Sequence, residues 1–218
     1  HWGTIMIKTL IPALFLIAST FSSIANASFI VEQYDDFWSS SLANLQTYAN
    51  NNAASTIASF EYLDFSDTNS NLDFSGFNLW PSDAPVYSGA NAAINSTFFV
   101  KATGLFDIAA DGNYNIRTYN DDGVFVFIDN VLQISDPTLH PPVHFYTGHD
   151  FLSAGTHSIE LYFFENAGGA NLEVGISGNN NSSYSLLNSA AVPEPSIIAL
   201  FAAGLVGLGV VRRRRTQK

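Results

Sequence analysis

From residue 60 to residue 177 the chain is a series of short apolar or alternating runs. Clusters of Asn, Asp, Gly and Ser separate these runs, and such turn formers typically bound β-strands. The pattern predicts strands over residues 98–108, 114–120, 123–129, 131–135, 157–165 and 172–177. Short strands at this spacing predict an all-β fold, an antiparallel β-sandwich.

One of these runs is apolar at every position, from Val124 to Ile128. A strand of this kind is suited to a place where both of its faces are covered, as in the middle of a sandwich. Asp129 and Asn130 follow it directly, and both tolerate the left-handed conformations of a two-residue hairpin. We therefore expect a tight turn leading into the strand that begins at Val131, with Val124, Val126 and Ile128 buried.

Residues 28–60 show a different pattern, because their apolar side chains recur near helical spacing. These side chains are Phe37, Trp38, Leu42, Leu45 and Tyr48. The pattern predicts one short helix, which three consecutive asparagines at 50–52 end.

The first 27 residues are typical of a secretory signal peptide. Met6-Ile7-Lys8 forms a charged start, Leu10 to Ala18 is apolar, and Ala25-Asn26-Ala27 is a small-x-small cleavage site. The segment predicts an N-terminal signal helix and export of the chain.

The C-terminal residues 192–218 combine three dissimilar elements. Val192-Pro193-Glu194-Pro195 predicts an extended, exposed segment, because each proline fixes its own φ and restricts the residue before it. A short apolar run follows from Ile197 to Val211, and at about 22 Å as a helix it falls short of a hydrocarbon core of about 30 Å. Arg212, Arg213, Arg214 and Arg215 come next and would remain on the cytoplasmic side as a stop-transfer signal.

In order and spacing these C-terminal residues resemble the PEP-CTERM sorting signal of bacteria. The resemblance implies an exosortase as processing partner, with Val192, Pro193, Glu194 and Pro195 as the processing motif. It also implies transient anchoring in the inner membrane, followed by a place on the cell surface or in the extracellular matrix. An ordinary tail anchor with a chance Val-Pro-Glu-Pro is the alternative. Residues 178–191 are interpreted as a polar linker leading to this signal.

The exported part is strongly acidic and contains no cysteine. Residues 28–192 carry 18 acidic residues against two basic ones, Lys101 and Arg117, and the chain has no Cys. Such a surface disfavours nucleic acid as a partner and favours cations. Without cysteine the domain depends on its core rather than on disulfides, and thiolate chemistry is excluded.

The β-rich part, residues 28–177, resembles the PA14 superfamily. Seven short segments carry the resemblance, in this order: Phe98-Phe99-Val100, Gly104-Leu105-Phe106, Asp111-Gly112-Asn113-Tyr114, Asn120-Asp121-Asp122-Gly123-Val124, Phe127-Ile128-Asp129, Leu152-Ser153-Ala154-Gly155-Thr156-His157 and Gly168-Gly169-Ala170. The resemblance implies an antiparallel β-sandwich. It also implies a carbohydrate-binding or adhesive module, of the kind attached to surface proteins and glycoside hydrolases.

Asp121 and Asp122 are the chemical feature of this part. Two adjacent carboxylates repel each other, and a cation relieves the cost of burying them together. Ca²⁺ prefers carboxylate and carbonyl oxygens, so the pair is a candidate calcium site. The family resemblance implies a cis peptide between the two aspartates, a third ligand from the side chain of Asn166, and carbonyl ligands from Gly168 and Ala170. The alternative is that Asn, Asp and Gly at 120–123 form only a turn.

His144 and Tyr146 are candidate ligand-binding residues. His144 and His140 lie on a proline-bent loop, so the His-x-x-x-His spacing that places two zinc ligands on one helix face does not apply to them. Together with Phe145 and Trp80, the two candidates could line a surface on which a sugar stacks, or the aromatic residues could be core. We find no pair of acids in a setting that predicts a raised pKa, which a glycosidase would need.

These observations predict an exported, non-catalytic surface or matrix protein. Its PA14-like module would bind or embed in extracellular polysaccharide, in a Ca²⁺-dependent manner, after processing by an exosortase. A hydrolase acting on matrix glycans and a purely structural matrix protein are the alternatives.

Overall fold

The computed structural model describes residues 25–26, 28–67, 74, 78–82, 97–148, 150–178 and 183–192, with backbone only for 25–26 and 191–192. They belong to one compact unit, Ala25–Pro193. The predicted signal helix, the predicted apolar C-terminal helix, Pro193 to Pro195 and the four arginines lie outside the described residues. Within the described residues no helix is long and apolar enough to span a membrane.

The described residues form one helix, α1, and fourteen strands, β1 to β14. The helix is Leu42–Asn51. The strands are β1 Ala25–Asn26, β2 Phe29–Asp35, β3 Thr56–Phe60, β4 Asp64–Ser66, β5 Phe98–Ile108, β6 Gly112–Asp121, β7 Gly123–Ile128, β8 Val131–Asp136, β9 Val143–Tyr146, β10 Asp150–Leu152, β11 Gly155–Glu165, β12 Asn171–Ser177, β13 Ser185–Leu186 and β14 Ala191–Val192.

Two six-stranded sheets and one small sheet account for these strands. The first sheet has the order β3-β2-β5-β11-β7-β8. The second has β6 and β12 at its centre, with β9 and β10 beside β6, and β4 and β13 beside β12. The pairs between named strands are antiparallel, so the predicted all-β, antiparallel fold is confirmed. The small sheet consists of β1 and β14.

The hydrophobic core lies between the two large sheets, and the other face of the first sheet is covered by α1. Val124 and Val126 are fully buried in the core and Ile128 is 4% exposed, as predicted. Phe125 and Phe127 point the other way and pack in a second cluster around Leu45 of the helix. The all-apolar run of β7 is thus explained by a sheet on one side and a helix on the other.

The helix, the strand over residues 98–108 and the turn after β7 agree with the sequence-based predictions. The strand predicted over 98–108 coincides with β5, and the predicted helix is present. Asp129 and Asn130 have φ of 49° and 66°, as the hairpin turn between β7 and β8 requires.

The segment predicted as a polar linker, residues 178–191, is different in the structure. Its β13 pairs with β12, and Leu187 and Ala190 are buried. The apolar side chains of this segment are few and separated by Asn and Ser, so the composition alone hides their role in the core.

Two connections cross between the large sheets at the same end of the sandwich. The first runs from Asp121 at the end of β6 to Gly123 at the start of β7, and the second from Glu165 to Asn171. They lie side by side because Asn171 pairs with Asp121, and Phe164 pairs with Gly123. A Cβ at position 123 would collide with the Phe164 ring and come within 2.6 Å of the Asp136 carbonyl oxygen. Glycine is therefore required where the first connection turns.

Candidate functional site

The first connection carries the two predicted aspartates, joined by a cis peptide bond. Asp122 is 6% exposed, and each of its carboxylate oxygens accepts a backbone hydrogen bond. The N–H of His140 donates to Oδ1 and the N–H of Asn166 donates to Oδ2, both at 3.0 Å. Asp122 thereby fastens the first connection to the second and to the loop before β9.

Glu165 brings a third carboxylate to this place. Carboxylate oxygens of Asp121, Asp122 and Glu165 lie within 4.8 Å of one another, and we call these residues the carboxylate cluster. Glu165 is 1% exposed, and neither of its oxygens has a hydrogen-bond partner of normal geometry. A buried carboxylate in this condition is costly unless it is protonated or meets a cation.

The pKa values of the cluster reflect this cost. Burial first, and then repulsion from Asp122 and Asp121, raises the pKa of Glu165 to about 9, with the Ala167 N–H opposing. Burial and then Asp122 raise the pKa of Asp121 to about 6, while His140 lowers it. The expectation that no two acids have raised pKa values is therefore wrong. It failed because burial is the largest cause of both shifts, and the sequence does not show which carboxyl groups are buried.

A network of hydrogen bonds among buried polar residues lies next to the carboxylate cluster. Buried Asn120 donates from Nδ2 to the carbonyl oxygen of Asp122 at 2.6 Å and to Oδ2 of Asp136 at 3.1 Å. The same Asp136 oxygen lies 2.6 Å from Nε2 of His140. Burial alone would lower the pKa of His140, but the hydrogen bond to Asp136 raises it. The network holds the Asp121–Asp122 peptide in place.

The predicted ligands of the second connection lie beside the cluster in different ways. Asn166 is half-buried and touches Asp122 through its backbone N–H. Gly168 has φ of 118°, a conformation that favours glycine, and shapes the loop. Ala170 exchanges two hydrogen bonds with Asp67: its N–H donates to Oδ2 at 2.7 Å, and its carbonyl oxygen accepts from the Asp67 N–H at 3.1 Å. The roles of Asn166, Gly168 and Ala170 as ligands stay predictions.

The donors gathered here fit a hard cation. Every side-chain ligand atom of the carboxylate cluster is a carboxylate oxygen, which Ca²⁺ prefers and softer metals do not. The two oxygens of Glu165 without partners are the kind of buried polar atom that an ion would satisfy. Sequence reasoning missed Glu165, although a lone charge after the apolar run Leu161–Phe164 was a signal.

His144 and Tyr146 lie outside the cluster, on β9, whose residues pair with β6. His144 is opposite Tyr119, and Tyr146, which is 51% exposed, is opposite Arg117. Trp80, by contrast, is 1% exposed and stacks on core rings. Phe145 packs against the same core. A sugar-stacking surface that includes these two is therefore wrong. The Trp80 ring packs among core rings, and Phe145 alternates on β9 with His144 and Tyr146 and so faces the core.

Comparison with known proteins gives two findings. Residues 191–215 match the model of the PEP-CTERM protein-sorting motif. No curated protein matches the chain in sequence.

Solved structures show the same fold. A PA14 sugar-binding domain from an RTX adhesin superposes with a TM-score of 0.57 at 16% identity, covering 77% of this chain and 100% of that one. The PA14 domain of the MpAFP antifreeze protein gives 0.53 at 15% identity, covering 76% and 92%. An anti-sigma factor domain-containing protein from Clostridium clariflavum gives 0.50 at 18% identity, covering 78% of this chain and 49% of that one. The chain carries a PEP-CTERM motif and has a PA14-like fold.

Proposed function

We propose that this exported protein is a non-catalytic component of the cell surface or extracellular matrix that binds polysaccharide with the help of Ca²⁺. The PEP-CTERM motif marks it for export. In the proposed site Asp121, Asp122 and Glu165 hold the ion. The side chain of Asn166 and the carbonyls of Gly168 and Ala170 complete the ligand set.

The observation that carries the proposal is the convergence of three carboxylates at one end of the sandwich. Two of them, Asp122 and Glu165, are at most 6% exposed. The domain keeps this arrangement although residues 28–192 contain 18 acidic residues and only one lysine and one arginine to compensate their charge. A bound divalent cation would neutralise the cluster and supply the oxygens of Glu165 with a partner.

A sugar fits the coordination chemistry of such an ion. Ca²⁺ takes six to eight oxygen ligands, and neutral hydroxyl groups can fill the positions that the protein leaves. Asp121 is only half-buried, so the ion would be reachable from solvent on that side. The similar domain from an RTX adhesin is named as sugar-binding, which supports the same ligand class here.

The cluster also bears on the hydrolase alternative, because it pairs Glu165, whose pKa is about 9, with Asp121, whose pKa is about 6. A general acid must come within hydrogen-bond distance of the group that it protonates. Glu165 is 1% exposed and its carboxyl is enclosed by the two connections. A glycosidic oxygen cannot reach it, so Glu165 is not placed to act as a general acid.

Glycan-array binding of the secreted protein, with Ca²⁺ and with a chelator, tests this function. The double variant Asp121→Asn with Asp122→Asn should lose the binding that the chelator abolishes. Asp107→Asn with Asp150→Asn is a matched control, since it removes two charges at exposed positions away from the cluster. Binding that survives both the chelator and the Asp121→Asn, Asp122→Asn variant would contradict the proposal. Release of reducing sugar ends would favour the hydrolase.

We also propose that an exosortase processes the C-terminal signal, after transient anchoring by the apolar run from Ile197 to Val211. The match to the sorting motif over residues 191–215 supports this partner. A processed protein would reside on the surface or in the matrix, where polysaccharide is available.

A further inference from the structure

The outer face of the second sheet carries aromatic side chains close to the carboxylate cluster. Along β6, Thr118 and Asn120 point to the interior and are fully buried. Arg117, Tyr119 and Asp121 alternate with them and therefore share the outer face. Residues directly opposite on β9 share this face as well, which adds His144 and Tyr146.

Four rings on this face form a continuous series, the aromatic row. The Tyr119 and His144 centroids are 4.4 Å apart with the planes at 26°, and those of His144 and Tyr146 are 6.0 Å apart at 28°. Tyr184, just before β13, extends the row with a centroid 6.1 Å from that of Tyr146. The guanidinium of Arg117 lies 4.4 Å from the Tyr184 centroid and so fixes the far end of the row.

The chemistry of the aromatic row is amphipathic throughout. Each ring carries a polar atom, a phenolic hydroxyl or an imidazole nitrogen, and none is a phenylalanine. Tyr119, His144 and Tyr184 are half-buried, and Tyr146 is 51% exposed. Acidic side chains are depleted from the centre of protein–protein interfaces, whereas Asp121 stands directly in this face. A sugar chain has apolar C–H surfaces beside hydroxyl groups and matches such rings at both kinds of contact.

The aromatic row is continuous with the carboxylate cluster. Tyr119 and Asp121 are two residues apart on the same face of β6, a separation of about 7 Å along the strand. Tyr119 also contacts His144 directly, so the series of ring contacts runs from the strand that carries Asp121 to Tyr146. A ligand held at Asp121 that extends along β6 must pass over these rings.

We infer that the aromatic row is an extended glycan subsite, which binds the successive sugar units of a chain whose first unit is held at the carboxylate cluster. This inference rests on the proposed glycan-binding function and deepens it. The preferred ligand is a linear oligosaccharide or polysaccharide rather than a single terminal sugar.

The test compares chain lengths on an array that carries each glycan series as mono-, di-, tetra- and hexasaccharide, probed with the secreted protein in Ca²⁺. Binding should strengthen with length in the wild type. In the double variant His144→Ala with Tyr146→Ala, hexasaccharide binding should fall about tenfold while monosaccharide binding stays unchanged. Phe151→Ala is the matched control, since Phe151 is an exposed ring, 66% accessible, on β10, the other strand that flanks this edge of β6.

The outcomes separate this inference from the proposed function. Ca²⁺-dependent binding that is equal for mono- and hexasaccharides would overturn the subsite and leave the function intact. A length dependence that survives in the His144→Ala, Tyr146→Ala variant, or that is lost equally in Phe151→Ala, would also overturn it. If no glycan binds in any series, both fail. Unchanged melting temperatures of the variants in Ca²⁺ show that their effect is on binding rather than on folding.

Discussion

Glu165 is the residue whose environment is hardest to reconcile with an empty, purely structural loop. It lies at the end of a strand, almost fully buried, with two other carboxylates within 4.8 Å and no hydrogen-bond partner of normal geometry for either oxygen. A glutamine or a leucine would avoid this cost at the same position. Protonation, in keeping with its pKa of about 9, or a bound cation would relieve this cost.

Replacing Glu165 with Gln should have opposite effects with and without Ca²⁺. The pKa of Glu165 is about 9 in the folded state, above its ordinary value of 4.5, so the unfolded chain ionises first. This group therefore lowers stability progressively as pH rises from about 4.5 to about 9. In chelator at pH 8, Glu165→Gln should melt several degrees higher than the wild type. Excess Ca²⁺ should raise the melting temperature of the variant less than that of the wild type.

Thermal melts at pH 5 and pH 8 check this prediction. Glu61→Gln is the control. Because Glu61 is exposed, its substitution should leave the melting temperature unchanged at both pH values. A Glu165→Gln variant that melts lower than the wild type in chelator at pH 8 would mean that the carboxylate has a partner within the protein.

At the scale of elements, the two connections between the sheets decide where the chemistry lies. Strands with long apolar runs, such as β5 and β7, lie in the first sheet, and the sequence predicted both of them. The short strands β4, β9, β10 and β13 have two to four residues and were missed. They are held by pairing with β6 and β12 rather than by an apolar period of their own.

Gly123 and Gly169 provide a matched pair of substitutions in the two connections. Alanine at 123 would place its Cβ against the Phe164 ring and the Asp136 carbonyl, whereas alanine at 169 meets nothing within 4 Å. We expect Gly123→Ala to lose about 1–3 kcal/mol of unfolding free energy, as overpacked positions do, and to weaken cation binding. Gly169→Ala should change stability by less than about 0.5 kcal/mol.

Denaturant unfolding measures both variants, with the slope m as a check that the unfolded state is unchanged. Equal midpoints for Gly123→Ala and the wild type would show that the first connection has room to shift, against the close packing described above.

At the scale of the whole molecule, the sequence indicated the place of the site but not its full membership. Asp121 and Asp122 were recognisable because they are adjacent in the chain. Glu165 joins them only through the meeting of two distant connections, which no local pattern encodes. Trp80 and Tyr146 are both aromatic residues with polar residues nearby in the sequence. Only the folded structure, in which Trp80 is 1% and Tyr146 51% exposed, separates core from surface.

Processing of the exported chain gives a further prediction. Protein from the surface of the native host should lack residues 197–218, because an exosortase would cut at the Pro-Glu-Pro motif. Pro193→Ala with Pro195→Ala should leave the protein in the membrane fraction, since the extended conformation is lost while the apolar run remains. Mass spectrometry of the surface form is the measurement. Recovery of the arginine-bearing C-terminal peptide from that form would contradict the prediction.

The central claim is that the carboxylate cluster binds Ca²⁺, and thermal unfolding of the secreted protein tests it most directly. A site that binds only the folded state adds about 2.7 kcal/mol when Ca²⁺ is at a hundred times its Kd. For a domain of this size the melting temperature should then rise by several degrees. Asp121→Asn with Asp122→Asn should abolish the rise. Sodium at matched ionic strength controls for general screening of an acidic surface. A wild-type melting temperature that is the same in Ca²⁺ and in this sodium control would contradict the account.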